Sequence, residues 1–403
     1  MKKSMIVAAM LAMVATGANA KSATDSATIA KNKPVFTVVK QNPITSIKDQ
    51  NRSGTCWAYS TLSYFESEIL KHTGKTYDLS EMFVANKTYM DRATMAVRMH
   101  GDVSFSQGGS AYDVLYALQH YGIVPEGAMP APGTLTGDSL ANFGEFFDVM
   151  TPYVEAVAKS NAKKISSAWK SGLQGIIDSY IGKTPEKFTY QGKQYTPQSF
   201  CQSLGLNLDD YVTITSYTHH PMWSKFAVEV QDNWRWPLSY NVPMDDLCKI
   251  IDNAINNGYT VAWGGDVTED GFTRKGLGIA YDVKKVRSMA GTDADHWFKL
   301  SKDEKKEKFD SLGVNAPEVV PTQAMRQEAF DNWETTDDHG MHIYGIAKDQ
   351  NGKEYYMVKN SWGEYGDYKG TWYMTKAFVA YKIMDFMVNK NAIPKDIRKK
   401  LGI

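Results

Sequence analysis

The sequence predicts an α+β chain, a helical half first and a β-rich half last. Three observations predict it. From Cys56 to His72, Ala58, Leu62, Phe65 and Ile69 recur at three- and four-residue steps and Gly74 supplies a stop, the pattern of an amphipathic helix. A second such block runs from Ser110 to Tyr121 and ends at Gly122. In the last third, His342 to Ala347 and Tyr355 to Lys359 flank Asp349-Gln350-Asn351-Gly352, and Asn-Gly between two apolar runs is a strong hairpin cue.

Taken in order, the chain divides into six spans. Residues 1–20 read as a secretory signal peptide: Lys2 and Lys3, an apolar stretch from Met5 to Val14, then the small-residue run Ala18-Asn19-Ala20. That stretch is shorter than the ~20 apolar residues a membrane helix needs, so the expectation is an exported chain, periplasmic or secreted, with no membrane partner. Residues 21–34 form a polar leader. Residues 35–129 hold the first two helical blocks. Residues 130–236 read as an inserted helical region, with Ala156 to Tyr180 the best helix and no chemistry apparent. Residues 237–388 carry a helix from Asp245 to Asn257, a strand from Tyr259 to Trp263 and the hairpin. Residues 389–403 are a basic tail, with five basic residues against one acid.

Lys plus Arg and Asp plus Glu each number 45, so the formal charge is zero, and nothing points to a nucleic-acid partner. Three cysteines are too few for a disulfide framework, and the odd count leaves at least one free thiol. Cys201 and Cys248 could pair or stay free. Cys56 has a different setting. Gln50-Asn51-Arg52-Ser53-Gly54-Thr55-Cys56-Trp57 puts it where a Gly-bearing turn enters a helix. Unpaired N–H groups and the helix dipole favour a thiolate there, and a nearby imidazolium would lower the thiol pKa further.

Asp337-Asp338-His339-Gly340-Met341 supplies an imidazole at the entrance to the hairpin, which returns to Lys359-Asn360-Ser361-Trp362-Gly363. Folding about the turn brings Asn360 near His339. Its carboxamide would orient the ring, with Trp362 covering that bond from water, while Gln50 and the Cys56 N–H would form an oxyanion hole. His342 competes with His339 as the base.

Ser53-Gly54-Thr55-Cys56-Trp57, Leu79-Ser80-Glu81, Gln107-Gly108-Gly109 and Asn360-Ser361-Trp362-Gly363 together resemble the papain-like cysteine peptidases. Roughly 280 residues separate Cys56 from His339, against about 130 to 150 in papain-type chains, so something large is inserted. With Tyr240-Asn241-Val242-Pro243 and Trp263-Gly264-Gly265-Asp266-Val267, the resemblance narrows to the bleomycin hydrolase and aminopeptidase C branch. It implies a papain-like two-lobed fold, with a helical left lobe, a β-barrel-like right lobe and a large helical insertion. It implies a peptidase without cofactor or metal, acting on peptides and often assembled as a homo-hexamer. The catalytic residues would be Cys56, His339, Asn360 and Gln50. Gly108, Gly109, Trp362 and Asp266 would contact substrate, the two glycines lining the non-primed cleft.

In that branch the chain's end lies in the cleft and offers a carboxylate to the substrate's free amine. The basic tail here is the wrong charge for that, so either only the Ile403 carboxylate enters or the tail packs elsewhere. The reading is therefore an aminopeptidase, with an endopeptidase of the same fold or a non-catalytic peptide-binding protein as rivals. His219-His220 resembles a metal pair, but adjacent histidines on a strand point apart and no carboxylate spacing completes a site, so the expectation is a loop.

Overall fold

A computed structural model describes residues 33–132, 140–285 and 299–403. The expected signal peptide and most of the leader lie outside these residues.

The first half is mainly helical: β1 (Thr37–Gln41), α1 (Cys56–Thr73), α2 (Glu81–Arg98), α3 (Ala111–His120), α4 (Gly144–Ala158), α5 (Ala168–Ile181), the small hairpin β2 (Phe188–Tyr190) and β3 (Lys193–Tyr195), and α6 (Pro197–Ser203). Each early helix has a local reason to begin or end. Gly74 closes α1 in the left-handed region at φ 69°, where a side chain would be strained, and returns its N–H to Leu70. Ser80 caps α2 by accepting from the Phe83 N–H at 3.1 Å. Ser110 and Asp113 form a capping box on α3. The single helix expected over Ala156 to Tyr180 is two, because the intervening run 159–167 is polar apart from Ala162 and Ile165 and offers no apolar stripe to bury.

The second half comprises β4 (Tyr211–Thr215), β5 (Lys225–Phe226), β6 (Ser239–Asn241), α7 (Met244–Asn256), β7 (Val261–Gly265), β8 (Phe272–Thr273), β9 (Leu277–Gly278), α8 (Lys302–Leu312), α9 (Gln323–Asp331), β10 (His339–Lys348), β11 (Glu354–Lys359), β12 (Thr371–Thr375), α10 (Lys376–Lys382), β13 (Ile383–Asn389) and α11 (Lys395–Leu401). Among the described residues the main sheet has 11 strands, ordered β5-β6-β4-β13-β7-β10-β11-β12-β9-β8, with β1 on β10. β10 is its spine. Its N-terminal half pairs with β7, from His339 opposite Gly265 to Ile343 opposite Val261, and its C-terminal half pairs with β1. The sheet also takes in β4 and β5, which fall within the span expected to be a helical insertion.

Two large cores result. One holds α1 to α5 around Phe65, Phe83, Tyr89 and Phe146; the other packs α7, α10 and α11 on the sheet around Ile250, Trp263, Ile343 and Phe386. Gly340 lets them meet: a Cβ there would stand 2.6 Å from Ser60 Oγ and 3.3 Å from the Cys56 carbonyl. Cys201 lies in the first core and Cys248 against the second, so they do not pair. Among the described residues no helix is long and apolar enough to cross a membrane.

The last residues pack away from the seam. Ile397 and Leu401 of α11 are buried in the sheet-side core, Ile403 packs against it, and Lys400 Nζ stands 4.4 Å over the Trp223 ring. Of the two placements left open for the tail, the structure adopts the one outside the cleft.

Candidate active site

The turn before α1 is fastened to the segment after β11. Gln50 N donates to the Ser361 carbonyl at 2.8 Å, Gly363 N donates to the Lys48 carbonyl at 3.1 Å, and Asp49 bridges Trp362. The Gln50 side chain is fixed as well: Nε2 donates to the Ser53 carbonyl at 2.7 Å and Oε1 accepts from Ser361 Oγ at 2.6 Å. Gln107 holds the turn from the other side, its Oε1 accepting from Gly54 N at 2.7 Å and its carbonyl from the Trp57 indole N–H at 3.0 Å.

The hairpin delivers the imidazole and the carboxamide together. His339 Nε2 and Asn360 Oδ1 are 2.8 Å apart, both residues buried. Asn360 Oδ1 also accepts from Ser361 N at 2.8 Å, which fixes the carboxamide with its oxygen toward the ring. Nε2 therefore carries the hydrogen and Nδ1 is left as the basic nitrogen. Trp362 covers the imidazole with ring centroids 5.0 Å apart. Gly340, the residue next to His339, brings its backbone against Cys56, a Cβ there standing 3.3 Å from the Cys56 carbonyl. His342, by contrast, is a core residue whose Nδ1 is 2.9 Å from Ser63 Oγ.

Cys56 and His339 share one cleft of about 880 Å³, open mouth included. Gly108 and Gly109 line it; Gln50, Asn360, Trp362 and Asp266 do not. Asp266 is 2% exposed and engaged elsewhere, Oδ1 with Thr268 and Oδ2 with the Thr336 N–H. The expected substrate contact is thus corrected to a brace on the loop that leads into His339.

Burial dominates the electrostatics. It pushes the Cys56 thiol up to about 12 against the Gly340 and Trp57 N–H groups, with Asp337 and Asp232 adding to the rise. It pushes His339 down to about 4 against the Asn360 hydrogen bond. Both shifts run toward the neutral thiol and neutral imidazole, opposite in direction to the thiolate expected from the helix start.

The sequence reading missed the acids. Asp232, Asp337, Asp338 and Asp385 line the cleft, and among the described residues no Lys or Arg does. Asp232 pairs with the buried Arg92 at 3.0 Å and lies so close to Gly108 that a Cβ there would stand 1.9 Å from its carboxylate. Burial pushes Asp385 up to about 6 and Asp337 well above the carboxylate range, where Asp232, Asp385 and Asp338 repel its charge. The doublet Asp337-Asp338 was visible in the text; Asp232 and Asp385 carried no local signal.

His219-His220 lie in a turn, the loop expected of them, but a carboxylate does complete the cluster: both rings converge on Glu229, each Nε2 being 3.0 Å from one of its oxygens.

Comparison with known proteins agrees with this architecture. Aminopeptidase C of Lactobacillus helveticus is 24% identical over 90% of this chain and 85% of its own. Bleomycin hydrolase of Rattus norvegicus is 22% identical over 92% of this chain and 86% of its own. The crystal structure of PepW from Lactobacillus rhamnosis HN001 superposes with a TM-score of 0.69 at 20% identity, covering 94% of this chain and 86% of that one, which establishes the fold. The Peptidase C1-like family profile matches residues 2–402, and the chain belongs to that family.

Proposed function

We propose that the protein is a cysteine aminopeptidase, with Cys56 as nucleophile, His339 as base and acid, Asn360 as the residue that orients it, and Gln50 in the oxyanion hole. One observation carries the exopeptidase part. Among the described residues the cleft that holds Cys56 is lined by carboxyl groups and by no Lys or Arg, which suits the ammonium of a peptide's first residue. Asp337, Asp338 and Asp385 have no ion-pair partner among the described residues, and Asp385, held near 6, is the carboxyl assigned to meet the ammonium.

In this mechanism the Cys56 thiol passes its proton to His339 Nδ1 as sulfur bonds to the peptide carbonyl carbon. The Cys56 N–H holds the oxyanion, and Gln50, which lies behind the cleft lining with Nε2 on the Ser53 carbonyl, joins it only if its side chain turns that nitrogen's second hydrogen into the cleft. The imidazolium then protonates the leaving amine, and a thioester remains. Water, losing its proton to His339, adds to that thioester, and the carboxylic product leaves as the thiol is restored. With burial shifting both groups toward their neutral forms, the ion pair forms during attack in this reading.

The test is a matched pair of substrates with the same leaving amine, one with a free α-amine and one N-acetylated. The expected result is that the free amine has at least about tenfold higher kcat/KM, the size of one charge-assisted contact. The endopeptidase reading, favoured by the tail's distance from the cleft, requires the acetylated peptide to react as fast. The non-catalytic reading requires that neither is cleaved and that mass spectrometry finds no acyl adduct on Cys56. Export, on the strength of the pattern in residues 1–20, and assembly as a hexamer, on the strength of the sequence resemblance, belong to the same reading. Cell fractionation and light scattering test them.

A further inference from the structure

We propose that His219, His220 and Glu229 form a binding site for a divalent transition-metal ion, Zn²⁺ foremost, on the outer side of the cleft wall. Two imidazole nitrogens and a carboxylate are borderline donors that suit such an ion, and three protein ligands leave a position for water. One ligand atom from each residue lies within 4.8 Å of the others.

The three side chains are partly exposed, Glu229 most of all at 54%, and surrounding structure positions the two histidines. Buried Asn241 organises the turn: its Nδ2 donates to the carbonyls of Tyr217 at 2.8 Å, His220 at 3.0 Å and Pro221 at 3.1 Å, while its Oδ1 accepts from Tyr217 N at 2.9 Å. The His220 ring stacks on Phe226 at 4.1 Å and the His219 ring on Phe330 at 5.8 Å, so both rings are oriented independently of Glu229. Gln327 presents to His219 Nδ1 both its amide nitrogen, at 3.0 Å, and its oxygen, at 3.4 Å. It can therefore serve the tautomer that donates to Glu229 and the one that frees Nε2 for a metal.

The position gives the ion a consequence. Glu229 lies between Val228 and Val230, both of which line the cleft. A bound ion would fasten the 218–221 turn to that stretch of wall, tying it to the fold at a second point.

The experiment titrates ZnCl₂ into chelator-treated full-length protein by calorimetry, in a Cys56→Ala background so that the cleft thiol cannot bind the metal. The expected result is one equivalent bound with a Kd in the micromolar range or tighter, weakened at least about tenfold by Glu229→Gln and by His220→Gln. Zn²⁺ should also raise the thermal midpoint of the parent and not of Glu229→Gln. No saturable single-equivalent binding would overturn the proposal. So would equal affinity in parent and both variants, which would leave the three side chains as a hydrogen-bonded cluster only. Co²⁺ absorption gives a second readout: a visible d–d band in the parent that Glu229→Gln loses.

Discussion

The two walls of the cleft are built in opposite ways. The helical wall comes mainly from one short stretch, Gly54 to Thr61, joined by Gly108 to Ala111, and it presents a sulfur, glycines and backbone but no acid. The sheet wall is assembled from segments near residues 230, 263, 338 and 385, and it carries the imidazole and every carboxyl. The nucleophile thus comes from a locally encoded surface, whereas the base and the acids come from one assembled by strand pairing.

Removing the sulfur breaks the helical wall outright. Cys56→Ser should lower kcat/KM at least about 10³-fold in a steady-state peptide assay, as loss of a group that forms the covalent bond does. The shift of both groups toward neutrality adds a pH signature. With the thiol near 12 and the imidazole near 4, alkylation of Cys56 by iodoacetamide should climb about tenfold per pH unit between pH 6 and 9. A rate that is flat across that window would mean a standing thiolate–imidazolium pair.

This contrast also explains what was legible in the sequence. Cys56 at a helix start is a local pattern, and the hairpin makes His339 and Asn360 nearly local, so their 2.8 Å contact could be anticipated from one turn. The sheet wall could not. Asp385 reaches the cleft because β13 pairs with β7, and Asp232 because its segment folds over Gly108 and meets Arg92. Periodicity says which face of a strand is buried, not which strand lies beside it. The loop at His219-His220 was legible, but its convergence on Glu229 was not, since the turn is set by the side chain of Asn241, about twenty residues away in sequence.

A smaller effect is expected where the walls touch through an orienting group. Asn360→Ala should lower kcat about 10- to 100-fold with KM little changed, because the ring keeps its position on β10 but loses its fixed tautomer. A rise in KM with kcat preserved would put Asn360 in substrate binding. On the sheet wall itself, Asp385→Asn should raise KM about tenfold for a free-amine substrate and leave an N-acetylated one unaffected. The sign with pH follows from ionisation. Asp385 is held near 6, and its carboxylate is the form that attracts an ammonium, so KM for the free-amine substrate should rise as pH falls below about 6.

The smallest effect on catalysis tests whether His339 and His342, three residues apart on β10, are as different as their surroundings. His342 is fully buried between the lobes, is bonded to Ser63 Oγ, and has an imidazole driven well below its ordinary range by burial, with Lys359 adding to the effect. Ser63→Ala leaves that ring nitrogen buried without its partner, which costs about 1–3 kcal/mol in a urea melt, while kcat/KM holds. For a group with a depressed folded pKa, the stabilisation is present above the unfolded value of about 6.5 and is lost as pH falls below it, since the unfolded state then binds the extra proton. The wild-type chain should therefore lose stability on acidification from pH 6.5 through the His342 and His339 contributions. His342→Gln, which cannot titrate, should flatten part of that slope and spare activity. Activity lost in step with stability would instead make His342 part of the proton path and erase the distinction between the two histidines.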